Sequence, residues 1–258
     1  MTLSIAVAGK GGIGKTTLIG LLVRALRGRG VRPILAVDAD PNANLAETLG
    51  VDEGRTLADI REEGSAPEGS PSSGIGRVRA VEDELQRAIS EAEGFDLVTM
   101  GRPEGPRCYC AVNNLLRRSL DGLARNYAAV VIDNEAGLEH LSRRTTNDID
   151  YLIAVLNPTR PSLRAARRIV DLSRELPVRI GCRAVLLNRV EPQGLPVEVE
   201  RDLEALDAYR LPDVPEDPDL LRAGAVGRDV FTLPATGPAL SAIDQVAEIL
   251  ATHTEPVH

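Results

Sequence analysis

One short stretch near the N terminus constrains the fold of this chain more than any other: Gly9-Lys10-Gly11-Gly12-Ile13-Gly14-Lys15-Thr16-Thr17. It follows the apolar run 3–8 and opens a segment, 16–29, whose apolar residues recur at helical spacing. A strand that turns through glycines into a helix is the setting of a phosphate-binding loop. The glycines let successive backbone N–H groups face inward, and the helix N terminus adds its dipole to that anion nest. Gly11, Gly12, Ile13 and Gly14 are expected to line the nest. Lys15 is expected to reach the β- and γ-phosphates of a nucleotide, Thr16 to place its hydroxyl on Mg²⁺, and Thr17 to bond the α-phosphate.

The rest of the chain fits the strand–loop–helix start. Apolar or β-branched runs at 33–37, 95–100, 128–132, 151–156 and 183–187 alternate with helical periodicity at 81–93, 113–126, 162–175 and 239–251. Near-continuous apolar strands separated by helices predict an α/β fold, a doubly wound and mostly parallel sheet with helices on both faces. A single P-loop domain over 1–258 is expected. The segment 64–76 holds ten Gly, Ser or Pro in thirteen residues and reads as a loop within that domain.

Composition narrows the partners. The chain carries 30 Lys or Arg, yet only two are lysines, Lys10 and Lys15, both inside the glycine loop. In so arginine-biased a sequence, a lysine marks a place where a compact ammonium is needed. The formal net charge of −8 argues against a broad nucleic-acid or anionic-membrane surface, and the absence of Trp with only two Phe argues against base-stacking platforms. No segment approaches a membrane span, and the N-terminal run has no signal-peptide pattern, so no membrane association and a cytoplasmic location are expected.

KGGIGKTT, residues 10–17, resembles the deviant Walker A motif of the MinD/ParA/nitrogenase iron protein superfamily. The resemblance implies ATP and ADP as ligands and a nucleotide-sandwich homodimer. In it the extra lysine, here Lys10, reaches phosphates held by the other subunit. It makes Val37-Asp38-Ala39-Asp40-Pro41 the first switch, with Asp40 positioning or deprotonating the attacking water and Asp38 supporting the Mg²⁺ shell or the switch itself. From the residues alone, the two carboxylates are not expected to share one role, and Asp40 also suits a turn cap before Pro41. Val130-Val131-Ile132-Asp133 is an apolar strand ending in a carboxylate, as in a Walker B segment that holds Mg²⁺ through water. The resemblance further implies that Asn188 reads the adenine edge and that the loop Val214-Pro215-Glu216 packs over the base. A strand-end turn is the other reading of Asn188. No lysine is left for a guanine-reading Asn-Lys-x-Asp motif, which favours ATP over GTP.

Cys108 and Cys110 flank one tyrosine in the Gly/Pro-rich stretch that follows run 95–100. Two thiols from one chain fall short of the four ligands that soft divalent metals prefer, and a two-fold dimer supplies four. The loop 101–112 is therefore a candidate metal site shared across a dimer, with Arg102, Arg107, Arg117 and Arg118 placed to offset thiolate charge. Packing of the pair as small hydrophobes is the alternative, and Cys182 reads as packing. KGGIGKTT, DADPN, GRPEGPRCYC and DNEAGLEHLSR together resemble the CooC-type accessory ATPases of nickel-dependent carbon monoxide dehydrogenase. That resemblance implies Ni²⁺ at Cys108 and Cys110, with Zn²⁺ also accepted, and the dehydrogenase as client. Rival readings keep the ATPase core: a ParA- or MinD-like protein with another client, an iron–sulfur carrier, or a metal-binding scaffold that does not hydrolyse ATP. The arginines 160, 164, 167 and 168 fall on neighbouring helical positions and read as a solvated face or a docking site for an acidic partner.

Overall fold

The computed structural model describes residues 2–40, 42, 44–63, 83–101, 122–134, 138, 148–176 and 178–252. The predicted loop 64–76, most of the Cys-x-Cys segment 101–112 and most of the expected helix 113–126 lie outside them.

The strands are β1 (Leu3–Gly9), β2 (Ile34–Asp38), β3 (Ile89–Ala92), β4 (Phe95–Thr99), β5 (Ala129–Asp133), β6 (Asp148–Leu156), β7 (Arg179–Val190), β8 (Tyr209–Arg210) and β9 (Val214–Pro215). The helices are α1 (Lys15–Gly28), α2 (Leu45–Leu49), α3 (Leu57–Glu63), α4 (Arg160–Ser173), α5 (Val197–Glu204), α6 (Pro218–Ala225) and α7 (Pro238–Thr252). The sheet order is β3-β4-β2-β5-β1-β6-β7-β8, with β9 also on β7, and every pairing is parallel except β3–β4. This is the mostly parallel α/β sheet flanked by helices that the alternation of runs predicts.

Strict alternation along each strand builds the layers. Ile5 and Val7 of β1, Ile34 and Ala36 of β2, Val131 of β5 and Ile153 of β6 point to one face, where α1 and α7 cover them. Ala6 and Ala8, with Leu152, Ala154 and Leu187, point to the other face under α4 and α5. Leu35, Val37, Val130 and Ile132 extend that second face under α3. The central strands are thus buried on both sides, which is why they read as unbroken apolar runs.

One expectation is corrected. The periodic segment 81–93 is not one helix: it ends in β3, an antiparallel edge strand joined to β4 by a tight turn in which Gly94 has φ +83°. β3 is short and mostly half-exposed, so neither its length nor its polarity separates it from a helix in the sequence. In the sheet the first two strands are not neighbours. β5 lies between them, with Asp133 opposite both Val7 and Asp38 in register. The parallel arrangement brings the C-terminal ends of β1, β2 and β5 to one edge of the sheet, and the phosphate-binding motif leaves from that edge.

Candidate nucleotide site

α1 begins without a side-chain cap, because its N-cap is Gly14 in a left-handed conformation at φ +90°. Gly12 is also left-handed at φ +79°, and Gly11 and Gly12 are exposed while Ile13 is anchored in the core. The loop thus turns on glycines and is pinned by one apolar side chain. The first N–H groups of a helix have no intrahelical acceptor, so this end presents donors and a positive dipole. Thr17 lies half-buried in the first turn.

Lys15 is 6% exposed, with its ammonium 3.7 Å from Asp40 Oδ2. Asp40 Oδ1 accepts from the backbone N–H and the side-chain amide of Asn42, at 3.0 and 2.9 Å. Asp40 is therefore joined at once to the phosphate-loop lysine and to its own turn. Asp38 is placed differently: it is 1% exposed, and its two oxygens accept from the N–H groups of Asp40 at 3.1 Å and Leu45 at 2.9 Å. Asp38 ties both ends of the 40–45 segment to the end of β2 and so fixes where Asp40 stands. Burial pushes its carboxyl up to about 6, against the lowering effect of those two donors.

Asp133 is fully buried beside Asp38. Its Oδ2 accepts from Thr16 Oγ1 at 2.8 Å, and its Oδ1 has no hydrogen-bond partner among the described residues. Burial raises this carboxyl to about 7, opposed by the Thr16 hydroxyl and the Lys15 charge and reinforced by Asp38 and Asp40. A buried carboxylate oxygen without a donor, next to a threonine hydroxyl, is a poor arrangement for a bare protein and a suitable one for a divalent cation. The chemistry of Thr16 and Asp133 therefore fits Mg²⁺.

Lys10 is exposed at the start of the loop and has no ion pair to a described residue. Asn188, near the end of β7, is 7% exposed and lies against the phosphate loop. Val214 pairs with it in register but is fully buried in the core, which leaves half-buried Pro215 and exposed Glu216 as the part of that segment open to a ligand. Cys182 is buried in the core beneath α1 and α7, and burial pushes its thiol pKa up. Among the described residues no group of three or more His, Cys, Asp or Glu is disposed to hold a metal ion, and Cys108 and Cys110 lie outside them. No described helix is long and apolar enough to cross a membrane.

A loop of this construction, between β1 and α1 with Asp133 on the adjacent strand, defines a P-loop nucleotide site, and comparison with known proteins agrees. Residues 4–230 match the family model CbiA, the CobQ/CobB/MinD/ParA nucleotide binding domain. The chain belongs to this family. Among its relatives in the CobQ/CobB/MinD/ParA family, an uncharacterized ATP-binding protein of Methanocaldococcus jannaschii is 38% identical, over 95% of this chain and 96% of its own. The carbon monoxide dehydrogenase accessory protein CooC of Rhodospirillum rubrum is 34% identical over 90% of each chain. Among solved structures, MinD of Pyrococcus horikoshii complexed with Mg-ADP superposes with a TM-score of 0.68 at 23% identity, covering 98% of this chain and 97% of that one. A chain of the MinC:MinD cell division protein complex of Aquifex aeolicus gives 0.69 at 22%, covering 99% of this chain and 98% of that one. These two likenesses show the fold.

As a MinD/ParA-family P-loop NTPase, the chain is ATP-binding. Two contributors escape a reading of the sequence. One is the clamp by Asp38 on both Asp40 and Leu45, the latter seven residues further along the chain. The other is the contact of Asn188 with the loop, which joins residues 175 apart in the chain.

Proposed function

We propose that this protein is a dimeric, cytoplasmic ATPase that serves the maturation of nickel-dependent carbon monoxide dehydrogenase, coupling ATP binding and hydrolysis to nickel delivery into the active-site cluster. The similarity to the Rhodospirillum accessory protein over nine-tenths of both chains carries this reading. The Cys108/Cys110 pair supports it, because two thiolates from each of two chains make a four-ligand site for Ni²⁺ or Zn²⁺ as cargo. A second reading, an ATPase of the same family with another client, is favoured by the higher identity to the uncharacterized archaeal relative.

The residues of this chain divide the work as follows. Phosphates entering the nest compete for Lys15, whose present partner Asp40 is beyond hydrogen-bond range at 3.7 Å. Once the ammonium turns to phosphate, Asp40 is free to accept a hydrogen bond from the attacking water. Asp38 keeps Asp40 at that place through the two backbone N–H groups it holds. Mg²⁺, when held by Thr16 and Asp133, supplies charge neutralisation at the terminal phosphates. Lys10, exposed and unpaired to any described residue, is the cation available to a facing subunit's nucleotide. Asn188, Pro215 and Glu216 flank the place for the base.

The test is a titration of the purified protein with Ni²⁺ and with Zn²⁺, with and without ADP and ATP, followed by absorbance and native mass. About half a metal ion per chain, with thiolate charge-transfer bands that vanish in Cys108→Ser, is expected for a two-fold site. Absence of any metal response, or a broad iron–sulfur spectrum, overturns the nickel assignment. Asp40→Ala is expected to abolish both ATP turnover and client maturation. Maturation that survives the loss of turnover would make the protein a scaffold.

A further inference from the structure

Asn188 occupies an unusual point on β7. The pairing of β7 with β9 shifts register between Asn188 and Val190, and the intervening Arg189 is a non-glycine residue in the left-handed region at φ +58°. Such a bulge re-aims side chains, and backbone strain of this kind gathers at functional sites. Here it accompanies an Asn188 amide that reaches another element. Asn188 Nδ2 donates to the carbonyl of Ile13 at 2.7 Å, in a fully buried hydrogen bond. Asn188 Oδ1 accepts from the N–H of Arg189 at 3.0 Å. The two bonds settle the amide's orientation, since a carbonyl and an N–H cannot exchange roles.

Ile13 precedes the N-cap of α1, and the helix ladder begins one residue later, with Gly14 accepting from Leu18. The Ile13 carbonyl is therefore held by β7 and not by the helix it introduces. A trans peptide is planar, with its C=O and N–H on opposite sides. Fixing the Ile13 carbonyl towards Asn188 fixes the Gly14 N–H away from it. A Cβ on Gly14 would lie 2.7 Å from Asn188 Nδ2, so the glycine is also what permits the approach.

We propose that Asn188 is a positioning residue for the phosphate loop: its buried amide orients the Ile13–Gly14 peptide, so that the Gly14 N–H is set for phosphate before nucleotide arrives. The role is distinct from reading the adenine edge, because it acts on any ligand that carries the phosphates, base or no base. It rests on nucleotide binding at the P-loop and not on the identity of the client.

The experiment compares the wild-type protein with Asn188→Ala, measuring Mg²⁺-dependent binding of ADP and of inorganic tripolyphosphate by calorimetry. Hydrogen exchange of the nucleotide-free proteins is followed by mass spectrometry. Loss of one buried hydrogen bond that organises the nest is expected to weaken ADP and tripolyphosphate alike, by about tenfold each. Exchange is expected to rise in the peptide spanning residues 9–18 while β1, β5 and β6 keep their protection, which a general loss of stability would not produce. An unchanged tripolyphosphate affinity beside a weakened ADP affinity overturns the proposal and makes Asn188 a base reader only. Unchanged exchange over 9–18 overturns it whether or not tripolyphosphate binds measurably. Failure of the wild-type protein to bind ADP would instead refute the nucleotide site itself.

Discussion

Asp38 and Asp133 share a register position on adjacent strands, and both are almost wholly removed from water. Asp38 has backbone donors for each oxygen, whereas Asp133 has one hydroxyl and an orphan oxygen. Burial accordingly raises Asp133 further, to about 7, than Asp38, to about 6. The sign of the consequence follows from linkage. A carboxyl whose pKa is raised on folding favours the fold while it is protonated, so its contribution is fullest below the unfolded value near 4. It fades as the pH climbs through 7. Nucleotide-free wild-type protein is therefore expected to lose stability relative to Asp133→Asn between pH 5 and pH 8, by roughly 2 kcal/mol. Urea denaturation of both proteins across that range measures it, and parallel pH profiles would show that Asp133 is ionised throughout. The carboxylate at the end of run 128–132 was legible in the sequence, because a charge closing an apolar strand is conspicuous. Its lack of a donor was not, since that depends on which strands adjoin.

At the scale of elements, the connection from β1 to α1 is where sequence and structure agree most closely, because glycine spacing is a backbone requirement written directly in the chain. Its individual glycines are nevertheless unequal. A Cβ on Gly9 would lie 2.5 Å from Ile13 Cδ1 and 2.7 Å from the carbonyl oxygen of Val155, its partner on β6. The isoleucine anchors the loop and the carbonyl belongs to a neighbouring strand, so neither gives way cheaply. Gly9→Ala is expected to cost about 1–3 kcal/mol and to weaken nucleotide binding with it. Gly11 meets nothing within 4 Å and has no left-handed φ, so Gly11→Ala is expected to leave nucleotide-free stability within about 0.5 kcal/mol of wild type. Thermal melts of the two variants check the contrast, and equal losses would mean that the loop as a whole, and not the Gly9 contact, sets the limit. β3 was missed for the complementary reason. Its four residues are mostly half-exposed and carry no steric requirement, and the lone Gly94 in the turn after it is read as a helix end as easily as a hairpin. Strand order was equally hidden, because no local pattern states that β5 inserts between β1 and β2.

For the whole molecule, the distribution of charge bears on assembly. Two copies at −8 each repel, and in the proposed nucleotide-sandwich dimer the triphosphates between them would add to the repulsion. Screening over about 8 Å at physiological ionic strength softens the long-range part but not the contact between phosphates and the facing subunit. A cation at that contact is then the local means of holding the copies together, and Lys10 is exposed on the phosphate loop itself. Both lysines of the chain lie in this loop, one buried against Asp40 and one open to solvent. The proposed dimer makes a specific demand of the second. In an Asp40→Ala background, where bound ATP is expected to persist, light scattering after size exclusion should report a dimer with ATP and a monomer without nucleotide. Adding Lys10→Ala should return the ATP form to monomer while ATP remains bound, because Lys15 still serves its own subunit's phosphates. Adding Cys108→Ser and Cys110→Ser instead should leave the ATP dimer in place in metal-free buffer. If the lysine variant stays dimeric and the cysteine variant does not, assembly is driven by the thiols, and the exposed ammonium has no part in it.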